Sequence, residues 1–362
     1  MTITVKNGWV FSKREDLYIF LTPFIAGWMV FLVGQLFHLQ SLRIGTKDST
    51  MVFFALLAFL DAGHLFSTVF KSYLDERIRR EKRFLLYVTP LLIYILLIAL
   101  YHWLGMRTVL ILFGYYNVYH IMRQQYGWVN ISSKKANENN KIDYWLDKVT
   151  IYSMVLVPLI WIHFTLPAND KQFEVPKSKL AANLAIIAFL AIFITYFIRQ
   201  WYKAYKQMPI NFSKIFQVII SFLTWGSVIV FQSPLLLAVP VLLHNIPYLG
   251  IVFKTSPKEG NRLSGLLAYR YSILLFALFV AAAGVTYAKT NNFIKSVRLD
   301  HIAGIPKEYF LCALLLFPIM HFVIDGVIWK RKHYNVQALS EADSPSQFRY
   351  TPRQALPVGQ KT

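Results

Sequence analysis

The sequence predicts an all-α protein built as a polytopic bundle of transmembrane helices. Charged residues make up 15% of the chain and hydrophobic residues 56%, whereas soluble globular proteins carry about 25% charge. Apolar runs of about 20 residues, the length that crosses a bilayer core, recur along the whole chain. The chain is therefore expected to be a multi-pass membrane protein in contact with lipids.

About ten spans are expected, each an apolar stretch between polar or charged residues. In order they cover residues 17–39, 50–70, 84–103, 108–129, 147–166, 180–201, 215–232, 234–253, 268–288 and 309–329. Residues 1–16 are expected to form a cytoplasmic or interfacial segment, 17–331 the transmembrane domain and 332–362 a flexible cytoplasmic tail. No segment outside the spans is long enough for the core of a soluble catalytic domain.

The net charge of +20 is explained by topology. The two tails and every second connection hold 27 of the 38 Lys and Arg residues, and the opposite connections hold 10. Cytoplasmic loops of membrane proteins carry this excess, so both termini are expected in the cytoplasm and no nucleic-acid partner is expected. With Cys312 as its one cysteine, the chain cannot form an internal disulfide.

Polar side chains inside the expected spans are the main functional signal, because a central Asp, Lys or Arg costs roughly 2.5–3.5 kcal/mol on insertion scales. The polar residues within the spans are Asp61, His64, Asn117, His120, Arg123, Gln124, His244, Asn245, His321 and Asp325.

Four of these residues are histidines at one depth, on four different spans. At 1.5 Å per residue, His64, His120, His244 and His321 each lie roughly 10–15 Å from the cytoplasmic end of their helix. The sequence thus predicts a four-histidine metal site in the cytoplasmic half of the bundle. The other histidines, near span ends or in connections, are expected to be ordinary: His38, His102, His163, His301 and His333.

Carboxylates share a helical face with two of these histidines. Asp61 precedes His64 by three residues, and Asp325 follows His321 by four, spacings that place side chains on one face. Such groups commonly accept the second N–H of a ligating imidazole, and direct ligation by either Asp stays open. Arg123, one turn from His120, could hold an anionic group, or its side chain could extend to the cytoplasmic interface. Asp61, Arg123 and Asp325 are the candidate catalytic residues.

The ligand type indicates the chemistry. Neutral imidazoles suit iron, copper, zinc and nickel, and a dry site inside a bilayer suits oxidation of a lipophilic substrate by O2. The clustered histidine boxes of membrane desaturases and the H-E-x-x-H, G-x-S-x-G and P-loop motifs are absent from the sequence. Three alternatives remain: a haem-binding electron-transfer protein, a metal or proton transporter, and a structural or assembly factor whose histidines join helices.

The motifs H-x-x-R-Q-Q-Y-G-W (120–128) and H-x-x-x-D-G-x-x-W-K (321–330) resemble those of a group of bacterial polytopic membrane proteins. More distantly, one histidine on each of several spans is similar to the bacterial β-carotene 15,15′-dioxygenase family. That resemblance implies an inner-membrane oxidoreductase, a dioxygenase that uses ferrous iron and O2. It implies His64, His120, His244 and His321 as the iron ligands. The sequence identifies neither the substrate nor the oligomeric state.

Overall fold

Long helices joined by short connections form the part of the chain that the computed structural model describes, residues 6–36, 64–65, 68, 72–73, 76–165, 177–255 and 307–328. Within these residues there is no β-strand, so the all-α prediction is confirmed for them. The helices are α1 Lys13–Leu36, α2 Glu76–Glu81, α3 Thr89–Leu104, α4 Met106–Lys135, α5 Lys141–Thr165, α6 Lys179–Tyr205, α7 Phe212–Phe231, α8 Ala238–Thr255 and α9 Lys307–Ile328. A π-helical turn, Phe84–Val88, leads into α3, and a 3-10 turn, Pro234–Leu237, leads into α8.

Within the part of the chain that the structure describes, seven helical stretches are long and apolar enough to cross a membrane. They are Lys13–Leu36, Phe84–Leu104, Lys141–Thr165, Lys179–Tyr205, Phe212–Phe231, Leu235–Val252 and Glu308–Val327. Each coincides with one expected span. The expected span 108–129 lies within α4, which is more polar and is not among the seven. Expected span 50–70 lies mostly, and 268–288 wholly, outside the described residues, so ten spans and cytoplasmic termini stay predictions.

The outer face of α6 shows why these helices belong in lipid. Leu184, Ile187, Ile194 and Ile198 recur at helical spacing and are all more than half exposed. An apolar stripe of this kind would be unfavourable in water and is suited to acyl chains. The protein is thus a multi-pass membrane protein by the length and composition of its helices.

The start of α1 is fixed by two carboxylates. Ser12 accepts a hydrogen bond from the backbone N–H of Glu15 and donates one to its side chain, at 3.3 and 3.0 Å, a local pairing typical of helix N-termini. Asp16 accepts from the backbone N–H groups of Val10 and Phe11, at 2.6 and 2.8 Å. These bonds fold the preceding segment onto the helix, which begins at Lys13, four residues before the expected start of the span at 17.

Close backbone packing joins α1 to α8, which carries one of the four histidines. A side chain at Gly27 would place its Cβ only 2.6 Å from the Cα of Val239. Glycine therefore permits close contact between two helices that a larger residue would push apart.

A buried ion network ties the connection after α4 to α5, α6 and α7. Lys214 bonds Glu138 at 2.8 Å and Asp147 at 2.9 Å, while Lys203 bonds Glu138 at 3.0 Å and Asp143 at 3.3 Å. Burial alone would raise the pKa of the Glu138 carboxyl, but the two lysines hold that pKa below its ordinary value. Because each charge has a nearby counter-charge, the network fixes how α5, α6 and α7 meet.

Candidate metal centre

The four histidines predicted from depth meet in one buried cluster. His120 lies on α4, His244 on α8, His321 on α9, and His64 in a short helical piece of the chain. All four side chains are buried. Each ring offers one nitrogen, and these four nitrogens lie within 4.8 Å of one another. The predicted convergence is confirmed, and the group could hold a metal ion.

His64 and His321 form the tightest pair. Their Nε2 atoms are 2.7 Å apart, and their ring centroids are separated by 4.2 Å. His244 lies 4.5 Å from His64 and 5.0 Å from His120, measured between ring centroids. The ring centroids of His64 and His120 are 6.2 Å apart.

These separations fit a shared ion. Two nitrogens bound at about 2.1 Å to one metal lie about 3.0 Å apart at a right angle, about 3.4 Å apart in a tetrahedron and about 4.2 Å apart on opposite sides. The 2.7 Å between the Nε2 atoms of His64 and His321 is closest to the right-angle value. The limit of 4.8 Å exceeds the opposite-side value by about 0.6 Å, so a small inward movement of the rings would complete the site.

Two buried ring nitrogens in the cluster point to the same conclusion. Nε2 of His120 and Nδ1 of His244 have no hydrogen-bond partner among the described residues. Buried polar atoms are nearly always hydrogen-bonded, and each exception calls for an explanation such as an ion. A metal ion bound by these two ring nitrogens would provide that explanation. The residues present therefore fit a metal.

A second layer of polar residues lies one helical turn beyond the histidines. Each histidine is followed four residues later by a polar residue: Thr68, Gln124, Tyr248 and Asp325. We call these four residues the polar layer. Because side chains four residues apart share a helical face, the repetition on four segments gives the cluster a polar side.

The polar layer contacts the cluster across helices. Oγ1 of Thr68 is hydrogen-bonded to Nδ1 of His321, and the side-chain amide of Gln124 donates to the backbone carbonyl of His244. The hydroxyl of Tyr248 donates to Oδ1 of Asp325 at 2.6 Å. The Thr68 bond restrains the ring of His321, the function that outer groups serve in metal sites, and the other two bonds join the helices that carry the histidines.

The opposite side of the cluster is aromatic. Phe322 stacks on His120, with ring centroids 4.2 Å apart and planes 24° apart. Tyr116 contacts the edge of Phe322 at 5.3 Å, and Phe113 stacks on Phe322 at 6.2 Å. The cluster thus has a polar side and an apolar, aromatic side, the latter formed by α4 and α9.

The candidate catalytic residues differ in their placement. Asp325 lies in the cluster, with Oδ2 at 3.6 Å from Nε2 of His321. Arg123 is exposed on α4 and lies over the ring of Tyr119, 6.0 Å from its centroid, so its side chain is directed away from the histidines. Asp61 lies outside the described residues.

The expected outer partner of His321 is different in the structure. The sequence leaves Asp325 either as an acceptor of the second N–H of this ring or as a direct ligand. In the structure Thr68 contacts Nδ1, and Asp325 approaches Nε2, the nitrogen that faces His64. Thr68 and Tyr248 were not identified from the sequence. Their position four residues after a histidine was the signal that could have found them.

Two histidines expected to be ordinary lie elsewhere. His102 pairs with the hydroxyl of Tyr309, and His163 pairs with the hydroxyl of Tyr115. Neither belongs to the cluster. His38, His301 and His333 lie outside the described residues.

Comparison of the chain with family models, curated proteins and solved structures finds no match. The site is therefore interpreted from its own geometry. A buried set of four imidazoles among membrane helices could bind a metal ion.

Proposed function

We propose that this chain is an inner-membrane, metal-dependent oxidoreductase of the non-haem iron oxygenase kind, which uses O2 to oxidise a lipophilic small molecule. One observation carries the proposal: four buried histidines offer nitrogens within 4.8 Å of one another inside a bundle with lipid-facing helices. A site at this depth would be reached by apolar compounds dissolved in the membrane, which supports a lipophilic substrate.

Iron is the metal that we favour, with copper and zinc as the alternatives. The right-angle spacing of His64 and His321 suits an ion with five or six ligands better than the tetrahedral arrangement common for structural zinc. A ferrous ion bound here would supply the electrons with which O2 is activated. The protein would hold the ion through His64, His120, His244 and His321.

The two sides of the cluster suggest how the chain serves such a reaction. Thr68 restrains the ring of His321, and Gln124 joins α4 to the backbone of His244, so little reorganisation is needed when the ion binds. Phe322 and Tyr116 form an apolar wall beside His120, against which a lipophilic substrate would lie. Buried surroundings exclude water, which protects reactive species from side reactions.

The cluster geometry argues against the haem alternative. In that alternative His64 and His120 would each pair with another histidine across the flat macrocycle of a haem. The ring centroids of His244 and His321 are within 4.5 Å of His64 and within 5.1 Å of His120, so all four rings crowd the space that a macrocycle would need. Transport is disfavoured by the aromatic side of the cluster, since a conduit needs polar groups on both sides.

The proposal is tested by metal analysis and an optical spectrum of the detergent-purified protein. We expect near-stoichiometric iron with no Soret band, lost in His120→Ala and retained in His102→Ala, whose side chain lies outside the cluster. A Soret band would reassign the protein to the cytochromes. Wild type that is folded but free of metal would refute the metal site. If iron is present, O2 uptake with lipophilic compounds tests the oxygenase reaction.

A further inference from the structure

Asp325 occupies an unusual position for an outer partner of a ligating histidine. Nδ1 of His321 contacts Thr68, and Nε2 lies 2.7 Å from Nε2 of His64. The tautomer with its proton on Nδ1 donates to Thr68 and keeps the Nε2 lone pair for an ion. Oδ2 of Asp325 is 3.6 Å from that same Nε2. The carboxylate is thus on the side of the ring where the ion would be bound.

The distance between these atoms is that of two ligands of one ion. A nitrogen and an oxygen each bound at about 2.1 Å are about 3.0 Å apart at a right angle and about 3.6 Å apart at an angle of about 120°. The observed 3.6 Å matches the second arrangement. A carboxylate acting only through the imidazole would instead contact Nδ1, the atom that Thr68 contacts.

Tyr248 holds the other oxygen of this carboxylate. Its hydroxyl donates to Oδ1 of Asp325 at 2.6 Å, and its ring packs edge-on against His64 with centroids 4.3 Å apart. Tyr248 is itself buried. A hydrogen bond to one oxygen sets the rotation of the carboxylate and directs its second oxygen toward His321. Metal-bound carboxylates are typically oriented in this way.

We propose that Asp325 is a fifth ligand of the ion, bound through Oδ2, and that Tyr248 is the residue that positions it. The proposal rests on the metal site of the proposed function. Four nitrogens and one oxygen bind the ion, and a six-coordinate ion keeps one position for O2 or substrate. The negative carboxylate also balances charge on a buried divalent cation. This mixed set is more suited to iron than an all-imidazole site is.

The test uses the full-length protein, stripped of metal and reloaded with Co2+, whose visible absorption reports its ligands. In Asp325→Asn we expect Co2+ affinity to fall at least 10-fold and the visible bands to change in position and intensity. In Tyr248→Phe we expect a fall of about 10-fold, the lower end of the usual effect of outer residues, with smaller spectral changes. Asp325→Glu, which keeps a carboxylate, should recover part of the wild-type spectrum.

Tyr196→Phe is the matched control, because it removes a buried hydroxyl that has no hydrogen-bond partner among the described residues. It should leave Co2+ binding unchanged. An unaltered Co2+ spectrum in folded Asp325→Asn would overturn the ligand assignment while leaving the four-histidine site intact. Folded wild type that binds no Co2+ and contains no other metal would overturn this inference and the proposed function together.

Discussion

The hydroxyl of Tyr248 donates a 2.6 Å hydrogen bond to Oδ1 of Asp325, and this bond links the helices that carry His244 and His321. Each of the two residues lies one turn beyond a histidine of the cluster. Hydrogen bonds between helices in the polar layer therefore also hold the four histidines of the cluster in place, because both sets of residues share the same helical faces.

Thr68→Val should weaken metal binding without removing a ligand. The variant keeps the shape of the side chain but loses the hydroxyl that contacts Nδ1 of His321, so the ring loses its fixed orientation. Loss of such a partner typically costs 10–100-fold in metal affinity, and we expect a rise of about that size in the dissociation constant for Co2+. Thr68→Ser, which retains the hydroxyl, should remain near wild type. Weaker Co2+ binding in Thr68→Ser, with wild-type binding in Thr68→Val, would show that the methyl group rather than the hydrogen bond supports the site.

The convergence of the histidines was predictable because the bilayer fixes depth and the helix fixes spacing. Both constraints can be read from the sequence, and they correctly predicted that His120, His244 and His321 lie together. They do not specify side-chain rotation. Arg123 is three residues from His120, about 60° around the helix, and that difference is enough to leave its side chain exposed.

The role of Asp325 was only partly predictable for a related reason. Its spacing from His321 identified a shared face, but which ring nitrogen it approaches depends on rotamers and on Thr68, a residue distant in sequence. Tyr248 was missed because tyrosines are common at membrane interfaces, so a tyrosine in a span carries little signal by itself. Its position one turn after His244 is informative only once the polar layer is known.

Gly27→Ala should destabilise the protein by separating α1 from α8. The new Cβ would lie 2.6 Å from the Cα of Val239, and overpacking of this kind typically costs about 1–3 kcal/mol. Gly114→Ala is the control, because a Cβ there meets no described residue within 4 Å and alanine is the better helix former. Thermal unfolding in detergent should therefore show a lower midpoint for Gly27→Ala alone. A midpoint for Gly27→Ala at or above that of Gly114→Ala would refute close packing at Val239.

Stability should fall in acid through the buried ion network. The lysines hold the pKa of Glu138 below its ordinary value of 4.5, so the folded state binds this proton more weakly than the unfolded state does. That contribution is complete above pH 4.5 and is lost as the pH falls through the lower folded pKa. Glu138→Gln, which cannot ionise, should be less stable at neutral pH and lose less stability on acidification. Parallel pH profiles for variant and wild type would argue against Glu138 as a contributor.

The orientation predicted from charge can be tested with single cysteines. The native Cys312 is fully buried, so a membrane-impermeant maleimide applied to intact cells should label it weakly. Trp103, at the expected outer end of α3, and Asn139, in the expected inner connection between α4 and α5, are both exposed. With both termini in the cytoplasm, Trp103→Cys should be labelled in intact cells and Asn139→Cys only after the membrane is permeabilised. The reverse labelling pattern would invert the topology. The polar layer would then lie between the histidines and the external side of the membrane, because it is on the side of the histidines toward the end of α4 that Asn139 adjoins.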